Sequence, residues 1–351
     1  LPEAVVWCIT SDGHGGIYAG TGTSGRVYHV TSAGKYDLVA SLPEVSVHSL
    51  ARLADGTLLA GTGPKGRTYR IAADGGFTVA HTAQEPYVLS LAVGEDGSVF
   101  IGTGGGKGSI YRLDARGRAE PIATAVDEHV LCLCCSDDVL YAGTAGRGMV
   151  LRREGNGPLV TVMDVPGQSV TAMAPEADGA VIAVTAPRGT VWRVRGDSCT
   201  CALDPTPAGL QAAARLPQGG VVAAGGAYAL RVDEQAIGIP YDVPPTSEIL
   251  AATVGSDGRV WMGTANASEI LSSTSEGPRK GSLASPVLDA GSTARWGRLA
   301  CSATVPDGSA CTIETRSGNT LEAGPAWSRW SAIQLEGGGG RVVSPPARYL
   351  Q

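Results

Sequence analysis

A short apolar run ending in Gly-Thr returns at a fixed interval along this 351-residue chain. It reads Ile17-Tyr18-Ala19-Gly20-Thr21, then Leu58-Leu59-Ala60-Gly61-Thr62, Val99-Phe100-Ile101-Gly102-Thr103 and Leu140-Tyr141-Ala142-Gly143-Thr144. The glycines at 20, 61, 102 and 143 stand 41 residues apart, and the series continues through Val184, Gly225 and Gly263 at steps of 41, 41 and 38. Seven copies of one unit constrain the fold more than any other property, because self-similarity at this period belongs to solenoids and propellers.

Each copy carries four strand signals. In the second they are Val47-His48-Ser49-Leu50-Ala51, the Gly-Thr run, Arg67-Thr68-Tyr69-Arg70-Ile71 and Phe77-Thr78-Val79-Ala80-His81. Asp-Gly turns separate the first two strands at Asp55-Gly56, Asp96-Gly97, Asp178-Gly179 and Asp257-Gly258. Both residue types tolerate the positive φ that tight hairpins need. No segment has a helical period. Four antiparallel strands per copy predict an all-β, seven-bladed β-propeller over residues 1–283. A short all-β module is expected over 284–351, too small for an ample core of its own. It is expected to pack on the propeller or to be cut short.

The first strand suggests how blades nest. Its central residue is small in every copy: Cys8, Ser49, Ser90, Cys132, Ala172, Ala212 and Ala251. The next residue is larger in five: Ile9, Leu50, Leu91, Leu133 and Met173. Successive side chains face opposite sides of a strand, so a small face of one blade can meet a large face of the next. Tyr28, Tyr69, Tyr111, Leu151, Trp192, Leu230 and Leu271 recur in the third strand and read as core. Beside them His29, Arg70, Arg112, Arg152, Arg193 and Arg231 recur in register, which points to a structural role in interblade hydrogen bonding.

A hydrophobic fraction of 43% with a net charge of −6 describes a folded chain and gives no broad basic surface for nucleic acid. No apolar run approaches the roughly 20 residues of a transmembrane helix. The eight cysteines lack paired CxxC spacing, which argues against zinc. Cys301 and Cys311 flank Pro306-Asp307-Gly308, and a hairpin there would bring them within disulfide reach. A bridge and two free thiols both fit that pattern. The chain starts at Leu1 without a signal-peptide pattern and stops in a strand-like Arg348-Tyr349-Leu350-Gln351. A mature chain, or part of a larger chain or assembly, is the expectation.

The runs Val260-Trp261-Met262-Gly263-Thr264 and Leu140-Tyr141-Ala142-Gly143-Thr144, each followed by a third strand and the second also by Gly146, resemble the two-component-regulator-type and YVTN-like propeller repeats of bacteria. The resemblance covers the chain up to about residue 283. It implies the fold and leaves activity open, because this superfold hosts lyases, hydrolases, sensors and scaffolds. The Trp-Asp dipeptide of WD-type blades is absent. With the Cys301–Cys311 pair, the resemblance implies an extracytoplasmic (periplasmic or secreted) protein. In the tail, Trp327-Ser328-Arg329-Trp330-Ser331 is similar to the WSxWS pattern of cytokine-receptor fibronectin type III domains, where tryptophans stack with arginines. That similarity implies a β-sandwich-like segment with Arg316 as stacking partner.

In a propeller the fourth-to-first and second-to-third loops share one rim. Three positions before the first-strand Val stand Glu3, Glu44, Glu85 and Asp127, and converging carboxylates would hold Ca²⁺ or another hard cation. The Gly-rich second-to-third loops carry Lys65, Lys107, Arg147 and Arg188, and their backbone N–H groups suit an anion. The alternative is that the two sets pair with each other, for about 0–1 kcal/mol each. Trp7, His48 and Gln211 share a first-strand position at the channel mouth. His48 is the titratable one and the candidate acid–base group. GxSxG and Walker loops are absent, and GxGxxG has no strand–helix setting. Two functions follow. One is a non-enzymatic binding or protein-interaction propeller that uses this rim for a protein or carbohydrate ligand. The other is a propeller lyase or hydrolase acting on a sugar- or lactone-like substrate, with a divalent cation at the mouth.

Overall fold

The structure is a computed structural model. It describes all residues except 115–116, 234–237, 246–247, 267, 274–283, 302–304, 306–309 and 336–337. Among the described residues there is no helix, and so none long and apolar enough to cross a membrane. The chain forms two compact units, Leu1–Gly277 and Pro278–Gln351.

The second copy shows the design of the first unit. Its strands Ser46–Arg52, Leu58–Gly63, Arg67–Ile71 and Phe77–Thr82 pair antiparallel in chain order. Copies one, five and six give the same four-stranded sheet, and copy seven gives three strands. Copies three and four share one six-stranded sheet, because the long strands Val99–Leu113 and Ala119–Ser136 pair with each other. The Asp-Gly turns form as their chemistry requires. Asp55 accepts the Thr57 N–H at 2.9 Å, and Gly56 takes φ of 87°.

The Gly-Thr signature has two separate causes. A Cβ at Gly20 would lie 2.7 Å from Val47 of the next copy, and one at Gly143 would lie 2.6 Å from Val170. Glycine is therefore required where the next sheet's valine presses on the strand. Gly263 of copy seven meets Val6 of copy one at 2.6 Å, the same contact carried across the two ends of the unit. Val5 bridges to Ala265, and first strands touch one another all the way round. The sheets thus close into a ring with the first strands innermost. The threonine is fully buried and pins the following loop. Thr62 donates to the Arg67 carbonyl at 2.9 Å, and Thr103 both donates to the Ser109 carbonyl at 3.2 Å and accepts its N–H at 2.9 Å.

The small first-strand residues also join neighbours. Cys8 donates to the Val47 carbonyl, Ser90 to Val130 and Cys132 to Val170, at 3.5, 3.0 and 3.5 Å. Ile9 lies in the cluster shared with copy seven, and Cys8 packs against the cluster shared with copy two. Burial pushes the Cys8 and Cys134 thiols far up and the Cys132 thiol up to about 12, so they remain protonated.

Three of the third-strand side chains act within their own sheets, each opposite an acid of its own first-to-second turn. His29 meets Asp12 at 2.8 Å, Arg112 meets Asp96 at 3.1 Å and Arg193 meets Glu176 at 2.7 Å. Arg152 instead meets Glu154 of its own copy and Asp197 of the next, the interblade role read from the spacing.

In the second unit, Leu288–Ala294 pairs with Ala347–Leu350, which also pairs with Ser317–Gly318. Ile333, Val342 and Leu350 form a small core with Trp296, Leu299 and Ile313. The Arg316 guanidinium lies 5.6 Å from the Trp327 ring and 4.5 Å from the Trp330 ring. Gly318 leaves the space in which Trp327 is seated. The disulfide does not form, and all eight cysteines are free thiols. Arg298–Ala300, before Cys301, pairs with Gly339–Arg341, whereas Ile313–Thr315, after Cys311, pairs with Ser331–Ile333. The two cysteines thus flank strands with different partners. The turn Pro306-Asp307-Gly308 lies outside the described residues.

Candidate functional site

In six copies the ladder between first and second strands skips a residue. Val6 pairs with Thr21 and Cys8 with Gly20, which leaves Trp7 unpaired. The same step leaves out His48, Leu89, Leu131, Thr171 and Leu250. A bulge of this kind re-aims one side chain and twists the strand. On the innermost strand, the re-aimed residues belong to the axis side of the ring.

On copies one to three these residues and their neighbours build a step of rings. Trp7 and His48 lie 5.6 Å apart at 51°, and His48 and Tyr87 lie 5.7 Å apart at 83°. Glycines at or just beyond the end of the Gly-Thr run form the floor. Gly22 lies under Trp7, Gly63 under Tyr87 and His48, and Gly104 beside His129 and Leu89, and a Cβ at any of them would collide with those side chains. Trp7 is 39% exposed and Tyr87 37%. His48 is half-buried, and its Nε2 is enclosed without a hydrogen-bond partner. Burial lowers its pKa, so the ring is neutral near pH 7. His129 accepts the Gly105 N–H through Nδ1 at 3.1 Å.

The four rim carboxylates are held apart, each by its own copy. Glu3 accepts from Ser24 at 2.6 Å, Tyr28 at 2.9 Å and Arg26 at 3.1 Å. Burial opposes its charge, but these three donors outweigh it and hold the carboxyl below its usual range. Glu44 accepts from the Tyr69 hydroxyl at 3.0 Å and faces Arg67 at 3.6 Å. Glu85 accepts from Ser109 at 2.6 Å and Tyr111 at 3.0 Å. In copy four the tyrosine is replaced by Leu151, and Asp127 turns instead to the Thr144 hydroxyl at 2.6 Å and the Arg147 N–H at 3.1 Å. Tyr28, Tyr69 and Tyr111 are therefore core rings with a second task at the rim. The expected Ca²⁺ set is not assembled. Among the described residues, no three carboxylate, histidine or cysteine side chains come together to hold a metal.

The rim cations are mostly engaged too, with acceptors other than the four acids' free oxygens. Lys65 donates to the Pro43 carbonyl at 3.1 Å, Arg147 meets Asp164 at 2.7 Å and Arg188 meets Asp204 at 3.1 Å. Lys107 is exposed at the tip of the second-to-third loop of copy three. A half-open cleft of about 270 Å³ lies at the other end of the sheets, between copies three and four, lined by Phe100, Arg112, Cys135 and Asp137 among others. Sequence reasoning took the Gly-rich loops as anion cradles and missed the glycines beside the Gly-Thr runs as a floor for rings. The available signal was the pairing of Trp7, His48 and Tyr87 with the glycine that follows each Gly-Thr run.

No protein-family model matches the chain. No curated protein matches it either. Among solved structures, a streptogramin B lyase superposes with a TM-score of 0.68 at 18% identity, over 77% of this chain and 93% of that one. A virginiamycin B lyase from Staphylococcus aureus gives 0.66 at 16% identity, over 76% and 94%. The WD40 β-propeller domain of Doa1 gives 0.60 at 13% identity, over 78% and 94%. At these identities the likeness is one of fold. With the ring of antiparallel sheets, it defines the class: the chain carries a β-propeller.

Proposed function

We propose that this chain is a non-enzymatic binding propeller of seven blades, built from the bacterial regulator-type repeat, whose ligand seats at the channel mouth. One contrast carries the reading. Each rim acid accepts at least one hydrogen bond, with Glu44 Oε2 alone among them buried without a partner, and most rim cations are engaged. The Trp7 and Tyr87 rings stand open to solvent beside a neutral His48. Large amphipathic rings of this kind supply contact area at low entropic cost. The extracytoplasmic location implied by the resemblance belongs to the same proposal, now without support from a disulfide.

The test is a carbohydrate array probed with the wild-type chain and with Trp7→Ala and Tyr87→Ala. The expected result is a set of signals lost in both variants while their unfolding midpoints stay near wild type. Signals that persist unchanged in Trp7→Ala would sink the mouth as the binding site.

The lyase reading has one specific support, the unpartnered Nε2 of His48, together with a fold shared with solved lyases. Against it, no carboxylate among the described residues orients that imidazole, as an acid–base histidine usually requires. His48→Gln separates the two readings. Binding changes by only a few-fold if the mouth is a receptor site, and any turnover of a bound sugar or lactone disappears if it is catalytic.

A further inference from the structure

Lys107 belongs to a loop built differently from the other rim loops. Gly104 pairs with His129 and Gly108 with Asp127, so Gly105, Gly106 and Lys107 stand out from the ladder between them. Gly105 and Gly106 take φ of 118° and 106°, a conformation that glycine alone adopts at little cost. A Cβ at Gly105 would lie 3.3 Å from the Tyr87 ring, so the loop begins against the last ring of the aromatic step. Asp127, on the opposite side of the ladder, is taken by Thr144 and by the Arg147 N–H. Lys65, Arg147 and Arg188 each have an acceptor. Among the described residues of this basic set, Lys107 is the member without one.

Glu128 stands opposite this loop in the ladder and is exposed, and among the described residues no ion pair joins it to Lys107. An exposed ammonium on a loop that begins against the Tyr87 ring selects a ligand with two parts. One is a face that packs on tilted aromatic rings, and the other is an anion. The rings meet at 51° and 83°, so they form a stepped wall with no parallel-sided slot to sandwich a flat aromatic ligand. The C–H face of a pyranose fits such a wall, and the exposed amide of Gln211 on copy six can hydrogen-bond hydroxyl groups. Resting on the binding reading above, we infer that the mouth receives an acidic saccharide, its sugar ring against Trp7, His48 and Tyr87 and its carboxylate on Lys107. The ammonium–carboxylate contact is charge-assisted and weakens with salt.

The experiment is calorimetric titration of the full chain with oligomers of galacturonate, glucuronate and mannuronate, each beside its neutral methyl ester. At low salt, at least one acid should bind about tenfold more tightly than its ester, and the gap should close as salt is raised. Lys107→Gln should lose the preference for the acid and keep the affinity for the ester. Trp7→Ala should weaken both. Equal binding of acid and ester, an acid preference that survives Lys107→Gln, or no binding of any oligomer would overturn the acidic-saccharide assignment. Undiminished binding by Trp7→Ala would instead overturn the mouth itself, so the two failures are distinguishable.

Discussion

Trp7 and Cys8 are neighbours on one strand, yet they belong to regions under opposite constraints. On the interblade side, the small residues Cys8, Ser49, Ser90 and Cys132 face the glycine of their own second strand and donate, at Cys8, Ser90 and Cys132, to the next copy's valine carbonyl. On the axis side, the bulge positions hold Trp7, His48, Leu89, Leu131, Thr171 and Leu250, with no common size or polarity. One side must fit a neighbour built from the same repeat, so it is uniform. The other is bound to no common neighbour, although Thr171 donates to the next copy's Leu210 carbonyl at 2.6 Å. It is free to vary, which is where ligand specificity can be stored.

The largest effect should come from filling the uniform side. Gly61→Val places a branched side chain where a Cβ alone would already lie 2.5 Å from Val88. Overpacking of this kind costs about 3 kcal/mol. Urea unfolding should show it as a lower midpoint with an unchanged slope, and a midpoint within error of wild type would break the claim that the next sheet's valine dictates glycine here.

Next comes the threonine. Thr103→Val keeps the shape and removes the hydroxyl that satisfies both the N–H and the carbonyl of Ser109. Leaving buried backbone groups unpaired should cost about 2 kcal/mol. Hydrogen exchange at Ser109 should quicken well ahead of exchange in the first strand, because the loss is local to the loop.

Glu3 sharpens the comparison at the rim, since its carboxylate serves the fold. Its pKa in the folded chain lies below the ordinary 4.5, so the unfolded chain takes up that proton first. Its contribution is therefore complete above about pH 4.5 and is lost as pH falls through the folded value. Glu3→Gln should be less stable than wild type at pH 7, with the gap narrowing steadily toward pH 3. A gap that does not change with pH would mean that Ser24, Tyr28 and Arg26 do not favour the charged form.

These contrasts also explain what the sequence could and could not disclose. The ring of sheets was legible because the contact between Gly20 and Val47 is repeated, down to Gly263 against Val6, and a repeated contact leaves a period. The stacking of Arg316 on Trp327 and Trp330 was legible from a five-residue pattern whose geometry is local. The partners of Glu3, Glu44 and Glu85 were not. Their tyrosines stand about 25 residues later, and nothing in the spacing tells a carboxylate that binds a hydroxyl from one that awaits a cation. The bulge was hidden for a similar reason. Val6, Trp7 and Cys8 read as plain alternation, and only the register of the partner strand shows which residue is extra.

The smallest expected change in stability is the one that matters most for function. Trp7→Ala removes a ring that is 39% exposed, held by His48 at one edge and resting on Gly22. His48 of the next copy is the neighbouring ring that packs on it, so the unfolding free energy should shift by about 1 kcal/mol, less than for Gly61→Val. Cys8→Ser, one residue along, should be comparably mild, because Ser90 makes the same interblade bond with a hydroxyl. The two variants part at the mouth. Cys8→Ser leaves the aromatic step intact and should bind as wild type does, whereas Trp7→Ala should lose at least about tenfold in affinity, the scale of a ring that anchors a ligand. If Cys8→Ser also lost binding, the two faces of the strand would not be independent, and the division between a uniform packing side and a variable ligand side would fail.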